Sequence, residues 1–257
     1  MNLNRSPSIT RRAFLAGMVA GSFIMNSACR QRGSSKSANE GRLTARPHAG
    51  VKTLADGQTK LGLDSERDAL LYIPNNVGQS PVPLLVLLHG ATQSAEDMWY
   101  LGSAPDEARV AVLAPSSRAT TWDAVSGSFG EDVEFIDQAL QRVFETAAID
   151  TGKISVGGFS DGASYALALG LINGDLFRGV VAFSPGFFVD NIPHGKRPRF
   201  FISHGTKDHI LPINRCGRRI ATDLKARGYE VTFREFAGDH EIPADIALEG
   251  LSWVANG

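Results

Sequence analysis

Residues 156–162 read Val-Gly-Gly-Phe-Ser-Asp-Gly, and the last five form a G-x-S-x-G frame around Ser160. An apolar, strand-like run (residues 154–157) precedes this frame, and an apolar run typical of a buried helix (residues 163–172) follows it. A serine at such a junction sits on a strained turn that holds its hydroxyl above a sheet. The flanking glycines are needed because a side chain at either position would clash with the neighbouring helix and strand. The stretch therefore predicts a nucleophile elbow in an α/β fold.

Alternating strand-like and helix-like runs extend this prediction along the chain. A run that is apolar at every residue, as at 84–88, is typical of a parallel strand covered on both faces. The candidate strands are Ala69–Ile73, Leu84–His89, Val110–Ala114, Ile154–Gly157, Gly179–Phe183, Arg199–Ser203 and Val231–Phe236. The candidate helices are Ala95–Trp99, Asp106–Arg109, Glu131–Thr146, Ala163–Ile172, Arg215–Arg227 and Ala244–Ala255. We predict a mostly parallel central sheet with helices on both faces and no large cap domain, since only a short loop separates Ser184 from Arg199.

Composition narrows the function classes. The chain has 257 residues, 43% of them hydrophobic and 21% charged, with a formal net charge of −1. This suits one globular α/β domain, and the absence of a basic surplus argues against a nucleic-acid partner. Two cysteines give no disulfide framework, and Cys216 is interpreted as a small apolar residue. No histidine pair has metal-ligand spacing with acids, so we expect neither a metal nor another cofactor.

The charges are unevenly distributed, which indicates a targeting segment. The first 39 residues contain six Lys or Arg and no Asp or Glu. Paired arginines in Thr10-Arg-Arg-Ala-Phe-Leu15 precede an apolar stretch at 13–28, which is shorter than the ~20 residues that span a bilayer. We interpret residues 1–28 as a twin-arginine signal peptide, and expect export through the twin-arginine translocation machinery. A short anchor that is never removed is the alternative.

The end of this signal also suggests a modification site. Asn26-Ser-Ala-Cys29 resembles a lipoprotein box, although Asn26 stands where an aliphatic residue is usual. Cys29 is therefore a candidate for lipidation, which would attach the exported protein to a membrane. Residues 29–50 are rich in Ser, Gly, Arg and Lys and lack apolar periodicity, so we interpret them as a flexible spacer before one folded α/β domain at 51–257.

The elbow requires a base and an acid elsewhere in the chain. A serine is a poor nucleophile until a histidine removes its proton, and an acid must hold that histidine in one tautomer. Asp208 ends a polar turn after the strand-like run at 199–203, and His240 lies in a Gly-containing turn after the last strand. Both turns leave the carboxyl edge of the predicted sheet. The rival histidines His89, His204 and His209 are interpreted as hydrogen-bonding structural residues (the three occur beside structural glycines or the acid turn).

Further residues are candidates for binding substrate. The turn at 88–94 contains Gly90, which permits close backbone approach, and the backbone N–H groups of Ala91 and Asp161 are the candidate oxyanion donors. The Asp161 carboxylate is expected to favour the helix start. Trp122 either walls the substrate pocket or packs in the core, and Phe187 either faces an acyl chain or packs.

Four separated motifs carry a family resemblance. They are Gly158-Phe-Ser-Asp-Gly-Ala-Ser-Tyr165, Ala182-Phe-Ser-Pro-Gly186, Ser203-His-Gly-Thr-Lys-Asp208 and Asp239-His-Glu-Ile-Pro243. Together they resemble the phospholipase/carboxylesterase family of the α/β-hydrolase superfamily, from about Leu70 to the end. The resemblance implies Ser160 as nucleophile, Asp208 as acid and His240 as base, acting on carboxylic esters or thioesters without a metal. Family members usually have Gly-Gly before the base, whereas this chain has Gly238-Asp239, and Asp239 either tunes His240 or faces solvent.

Three functions remain open from the sequence. The first is an exported serine esterase that accepts short or medium acyl chains at an open site. The second is a polymer esterase acting on feruloyl, acetyl-xylan or hydroxybutyrate oligomers, because the loop His89-Gly-Ala-Thr-Gln-Ser94 also resembles that of polyhydroxybutyrate depolymerases and feruloyl esterases. The third is an anchored binding protein of the same fold without turnover, against which the complete set of nucleophile, base and acid argues.

Overall fold

One mixed sheet of eight strands, in the order β1-β2-β4-β3-β5-β6-β7-β8, organises the computed structural model of the chain. The structure describes residues 41–48, 56–75, 77–78, 80–126, 128–187 and 196–257. The strands are β1 Gly57–Lys60, β2 Ala69–Ile73, β3 Val82–Leu88, β4 Ala111–Pro115, β5 Ile149–Phe159, β6 Gly179–Phe183, β7 Arg199–Gly205 and β8 Val231–Phe236. The β1–β2 and β2–β4 pairs are antiparallel and the others are parallel, so the mostly parallel sheet is confirmed.

Helices cover both faces of this sheet, as predicted. They are a 3₁₀ helix at Ala95–Leu101, α1 Ala104–Ala108, α2 Asp123–Ser126, α3 Glu131–Thr146, α4 Asp161–Ile172, α5 Gly217–Ala226 and α6 Ala244–Ala255. Apolar residues of α3, α4 and α5 share one core cluster, and those of the 3₁₀ helix, α1 and α6 share the other. Burial on both faces explains why residues 84–88 of β3 are apolar throughout.

Two short elements escaped the sequence analysis. Strand β1 contains Gly57-Gln-Thr-Lys60, has no buried residue and pairs only with β2 at the edge of the sheet. A solvated edge strand shows no apolar period, so its residues carry no strand signal. Helix α2 has only four residues, which is too short for a helical period to appear.

Residues 41–48 correct the predicted domain boundary. They lie within the predicted spacer, yet Leu43 and Ala45 are buried in the core. Asp137 of α3 accepts hydrogen bonds from the amides of Thr44 and Ala45 (2.7 and 2.8 Å), and Asn173 Oδ1 accepts one from Leu43 N at 2.9 Å. The spacer prediction was wrong here because side chains more than 90 residues away, rather than a local period, hold this segment. The predicted signal peptide, Cys29 and the remainder of the spacer lie outside the described residues.

The carboxyl ends of the parallel strands meet at one edge of the sheet. The registers pair Leu88 with Gly158, Phe159 with Phe183 and Phe183 with Ser203. The loops that follow β3, β5, β6, β7 and β8 therefore open onto the same edge, where parallel α/β sheets bind ligands. Residues 184–198 connect β6 to β7, and no cap domain occurs in the described part of the chain. Nor does any described helix have the length and apolar character needed to cross a bilayer.

Candidate active site

The turn at Ser160 has the backbone of a nucleophile elbow. Ser160 adopts φ 55° and ψ −117°, a region that residues with side chains rarely occupy. Its N–H donates to Phe183 O at 3.0 Å, which ties the turn to β6. A Cβ on Gly158 would collide with the backbone of Gly162, and a Cβ on Gly162 with the carbonyl oxygen of Leu88. The predicted need for both glycines is confirmed, and the surrounding backbone holds the strained serine in place.

Ser160, His240 and Asp208 form one hydrogen-bonded chain. Ser160 Oγ lies 2.9 Å from His240 Nε2, and His240 Nδ1 lies 2.7 Å from Asp208 Oδ2. The Asp208 side chain is fully buried, and its Oδ1 accepts hydrogen bonds from the amides of Ile210 (3.0 Å) and Leu211 (2.7 Å). A buried carboxylate can only accept, so His240 must carry its proton on Nδ1 and leave Nε2 free to accept from the serine. The structure thus brings together all three residues that the sequence singled out.

Backbone hydrogen bonds hold the acid loop and the base loop against each other. Thr206 N donates to Phe236 O at 2.8 Å, and Lys207 N donates to Gly238 O at 2.9 Å. These bonds continue the β7–β8 ladder beyond its last paired residues. The distance from acid to base therefore depends on this backbone pairing and not on two independent turns. The Phe159 ring also lies 4.7 Å from the His240 ring and restricts its rotation.

Asp239, the departure from the family's Gly-Gly pattern, adds a bond between the same loops. Its Oδ1 accepts from His240 N at 2.8 Å and contacts His209 Nδ1 at 2.7 Å, while about half of its side chain is exposed. Desolvation opposes ionisation, but the amides of His209 and His240 and the His209 ring lower the pKa of Asp239 below its usual 3.8. Asp239 faces solvent, as one alternative predicted, and its contact with His240 is to the backbone amide and not to the ring.

The loop after β3 passes directly beside the nucleophile. A Cβ on Gly90 would lie 3.5 Å from Ser160 Cβ and 2.9 Å from Gln93 Oε1, so only glycine fits without displacing a neighbour. The N–H of Gly90 is already bound by Gln93 Oε1 at 2.8 Å. Among the described residues, no acceptor contacts the N–H of Ala91 or of Asp161. These are the two predicted oxyanion donors, and their N–H groups are available to a substrate oxygen.

Asp161 also has a structural contact that its position in sequence did not reveal. It is the first residue of α4, as expected for an anion at a helix start. Its Oδ2 also accepts a hydrogen bond from Thr121 Oγ1 at 2.8 Å, which joins the loop after β4 to the elbow. Thr120 O accepts from Thr92 N at 2.6 Å in turn. The two loops that carry the candidate oxyanion donors are therefore linked through residues 120–121.

Trp122 packs in the core and does not wall a pocket. Its side chain is fully buried, its Nε1 donates to His89 O at 2.8 Å, and its ring packs against His89 and Tyr165. A fully buried indole with a satisfied N–H has no surface to offer a substrate, so the pocket interpretation was wrong for Trp122. Phe187, in contrast, is 36% exposed at the strand edge, and its N–H contacts Ser164 Oγ at 3.3 Å. Phe187 remains a candidate for substrate contact.

Two of the three rival histidines, His89 and His209, have the hydrogen bonds predicted for them. His89 Nδ1 contacts Gly90 O at 2.7 Å, and Nε2 accepts from Ser117 N at 3.0 Å, so the ring is neutral with its proton on Nδ1. Burial lowers the pKa of His89 to about 4. His209 contacts Asp239, as described above. His204 differs from the prediction, because one of its nitrogens contacts Asp208 and the other has no partner in the described part of the chain.

The reactive side chains of the site are one serine, one histidine and one aspartate. In the ranges described, no group of three or more His, Cys, Asp or Glu side chains is arranged to hold a metal ion. Cys216, at the start of α5, is buried and forms no disulfide in those ranges, and burial raises the pKa of its thiol above the usual 9.0. The arrangement at Ser160 can generate an oxygen nucleophile beside the N–H groups of Ala91 and Asp161. Acyl transfer requires both a nucleophile and donors to the oxyanion.

Comparison with known proteins agrees with this fold. Feruloyl esterase C of Emericella nidulans is 25% identical over 224 residues, which cover 74% of this chain and 80% of that protein. Acyl-protein thioesterase 1 of the same organism is 34% identical over 98 residues, which cover 34% of this chain and 40% of the relative. The solved structure of FphF, a fluorophosphonate-binding serine hydrolase of Staphylococcus aureus, superposes with a TM-score of 0.63 at 16% identity, over 79% of this chain and 100% of that one. At that identity the likeness shows the α/β-hydrolase fold alone.

A family profile covers the elbow, the acid loop and the base. The profile of the Phospholipase/Carboxylesterase family matches residues 110–247, which are more than half of the chain and include Ser160, Asp208 and His240. Four motifs in sequence, an α/β-hydrolase sheet and this match all agree. The chain therefore belongs to the phospholipase/carboxylesterase family of the α/β-hydrolases.

Proposed function

We propose that this protein is a serine hydrolase that cleaves carboxylic esters or thioesters through an acyl-enzyme on Ser160. The observation that supports the proposal best is the continuous contact from Ser160 Oγ to His240 Nε2 and from His240 Nδ1 to Asp208 Oδ2. Esterase relatives and family membership support the same reaction class. A strained, glycine-flanked serine with a base at hydrogen-bonding distance has little structural purpose of its own.

The reaction follows from the direction of these hydrogen bonds. His240 Nε2 accepts the Ser160 proton while the serine oxygen attacks the carbonyl carbon and forms a tetrahedral intermediate. The resulting imidazolium is stabilised by the Asp208 carboxylate, which accepts from Nδ1 throughout. His240 then gives the proton to the leaving alcohol or thiol, and the ester bond breaks to leave the acyl group on Ser160. A water molecule then gives a proton to His240 and attacks the acyl carbon. His240 returns this proton to Ser160 Oγ as the bond to the serine breaks, and the carboxylic acid is released.

The oxyanion rests on the N–H groups of Ala91 and Asp161 in this proposal. Both belong to loops beside the nucleophile, and neither contacts a protein acceptor within the described ranges. Loss of one such donor costs ~3 kcal/mol of barrier in serine hydrolases. Because the donors are main-chain groups, substituting the side chain of Ala91 tests them poorly. Asp161 is better tested through its Thr121 contact, which orients the start of α4.

Labelling with a fluorophosphonate probe tests the nucleophile. We expect wild-type protein to be labelled and Ser160→Ala not to be labelled, while hydrolysis of p-nitrophenyl butyrate falls to background. Ser103→Ala is the matched control, because Ser103 is exposed and its hydroxyl donates a hydrogen bond to the exposed side chain of Glu107. Equal labelling of wild type and Ser160→Ala would contradict the proposal. Absence of labelling in all three would favour the binding protein without turnover.

We further propose that the site favours short or medium acyl chains. The connection at 184–198 leaves no room for a cap that would cover a long chain. Activity on p-nitrophenyl esters should peak between acetate and octanoate. A monotonic rise to palmitate would contradict the open site, while leaving the role of Ser160 unaffected.

A polymer-derived ester is the second candidate substrate. The Feruloyl esterase C relative aligns over 74% of this chain, and the Gly90 loop resembles that of feruloyl and hydroxybutyrate esterases. The chain spans four-fifths of that relative but only 40% of the thioesterase, so substrate class is proposed and not inherited. Release of ferulate, acetate or hydroxybutyrate from oligomers by purified protein decides the matter. Hydrolysis of p-nitrophenyl esters without release from any oligomer would exclude the polymer-derived substrate and retain the small ester as the substrate.

We propose that the protein acts outside the cytoplasm. The paired arginines at 11 and 12 and the acid-free first 39 residues support export through the twin-arginine machinery, and Cys29 is the proposed lipidation site. Replacing both arginines by lysine should retain the protein in the cytoplasmic fraction. Mass spectrometry of the mature amino terminus distinguishes a lipidated Cys29 from cleavage elsewhere or from an uncleaved anchor.

A further inference from the structure

His204 is a second histidine at the acid of the triad. Its side chain is fully buried, and its Nε2 lies 3.1 Å from Asp208 Oδ2. The same carboxylate oxygen lies 2.7 Å from His240 Nδ1. Asp208 therefore contacts one histidine that faces the nucleophile and another that faces away from it.

The proton on His204 can be assigned from its contacts. His204 Nε2 lies 2.7 Å from Leu211 O, which is an acceptor only, so Nε2 must carry the proton. This N–H is hydrogen-bonded to Leu211 O, and Asp208 Oδ2 is a second, longer contact of the same nitrogen at 3.1 Å. The other ring nitrogen, Nδ1, is buried and has no hydrogen-bond partner in the described part of the chain. It lies against the first turn of α5, since a Cβ on Gly217 would be 2.6 Å from it.

This environment keeps His204 neutral. Burial lowers the pKa of the ring below its usual 6.5, although the contacts with Leu211 O and the Asp208 carboxylate oppose the change. A second proton on Nδ1 would lie in a closed space without an acceptor. The ionisable groups that interact with the ring are Asp208 and His240 in the triad and Glu235 of β8, which pairs with Arg218. Cys216, one residue before Gly217, interacts with Asp208.

We propose that His204 is a positioning residue that fixes the Asp208 carboxylate and so sets how strongly His240 holds a proton. The inference rests on the proposed esterase function. With His204 in place, the carboxylate accepts four contacts, two on each oxygen, and cannot rotate away from His240. A neutral donor holds the oxygen without cancelling its charge, whereas a cation would compete with the imidazolium that forms during the reaction.

Removing this donor has two separate consequences. The carboxylate gains freedom to turn, which misplaces His240 and lowers kcat. The carboxylate oxygen is then contacted by the His240 N–H alone, so it stabilises the imidazolium form of His240 more strongly. The acidic limb of the kcat/KM profile therefore moves to higher pH. A residue that only fills space would lower kcat through misfolding or misplacement, and would leave the acidic limb where it is in the wild type.

Two amide substitutions form a matched pair. Glutamine can place an N–H near the position of His204 Nε2, whereas asparagine is too short to reach Asp208. We expect His204→Asn to lower kcat about 10-fold with an unchanged KM, and to raise the pH of the acidic half-maximum by about half a unit. His204→Gln should remain within about threefold of wild-type kcat, with the acidic limb restored. Gly217→Ala supplies a second route if His204→Asn does not fold, because it displaces the ring and should move the limb in the same direction.

Three results would overturn the inference. An equal loss of kcat in His204→Asn and His204→Gln, with the acidic limb at its wild-type pH, would mean that His204 acts through packing alone. Wild-type kcat and pH profile in both variants would mean that the contact with Asp208 has no effect. An unchanged downfield proton resonance of the His240–Asp208 hydrogen bond in His204→Asn would also refute it, and this readout needs no turnover. If wild-type protein hydrolyses no ester and is not labelled by fluorophosphonate, the proposed function fails, while the resonance still reports on His204.

Discussion

Replacing Asp208 by asparagine should almost abolish turnover for a reason that the hydrogen bonds specify. Asp208 Oδ1 accepts from two backbone amides, those of Ile210 and Leu211. The asparagine oxygen must stay there, because its NH₂ group would face two N–H donors. The NH₂ group then occupies the Oδ2 position, where it meets the N–H groups of His240 and His204.

This conflict turns the base into the wrong tautomer. His240 can avoid two opposed donors only by moving its proton to Nε2, the atom that lies 2.9 Å from Ser160 Oγ. A protonated Nε2 cannot accept the serine proton, so the nucleophile is not activated. We expect kcat to fall ~10⁴-fold, which corresponds to about 5 kcal/mol of barrier. Stability should fall by about 1–3 kcal/mol, because the new NH₂ group is buried beside N–H groups and has no acceptor there.

The assay compares kcat and KM for p-nitrophenyl butyrate with urea unfolding of the same preparations. Asp239→Asn is the matched control, because it makes the same substitution one residue before His240 at a half-exposed carboxylate. We expect the control to stay within about threefold of wild type, as for other exposed pairs. A folded Asp208→Asn that keeps more than about a tenth of wild-type kcat would refute the tautomer argument. Equal losses in the two variants would refute it as well.

Three further perturbations test the fold around the site. Gly162→Ala should destabilise the protein by about 3 kcal/mol or more in urea unfolding, because its Cβ would collide with Leu88 O; wild-type stability would contradict the close packing. Burial lowers the pKa of His89 to about 4. As the pH falls, the unfolded chain therefore binds a proton at His89 at a higher pH than the folded protein does. The stability due to neutral His89 is full above pH ~6.5 and is lost as the pH falls to about 4, by about 3 kcal/mol. Unfolding at about pH 7.5 and 4.5 measures this loss, which His89→Gln should reduce; an equal loss in the variant would contradict the assignment. Asp137→Ala should expose residues 41–48 to protease and cost about 2–4 kcal/mol, since two amides lose their acceptor; unchanged cleavage would contradict that anchoring.

Elements with a local period could be located from the sequence almost to the residue. The predicted bounds of α3 (Glu131–Thr146) and α6 (Ala244–Ala255) match the structure, because each helix has one buried and one wet face that repeats with the helical turn. The elbow was equally visible, since a serine between two sterically required glycines is a property of adjacent residues. Motif order then indicated which aspartate and which histidine to expect.

Features that depend on distant partners were not visible in this way. Residues 41–48 have no period of their own and are held by Asp137 and Asn173. The orientation of Trp122 depended on an acceptor at His89 O, and exposure could not be inferred from its position after β4. In both cases the deciding contact joins segments that are remote in sequence.

The sequence by itself determined the strand–helix alternation, the strained serine and the identity of its two partners, because these follow from apolar period, glycine spacing and motif order. Only the tertiary structure decided that His204 shares an oxygen of Asp208 with His240, and that Asp239 contacts both the acid and base loops. Those contacts depend on the β7–β8 register and on the packing of α5 against His204, and no stretch of neighbouring residues contains that information.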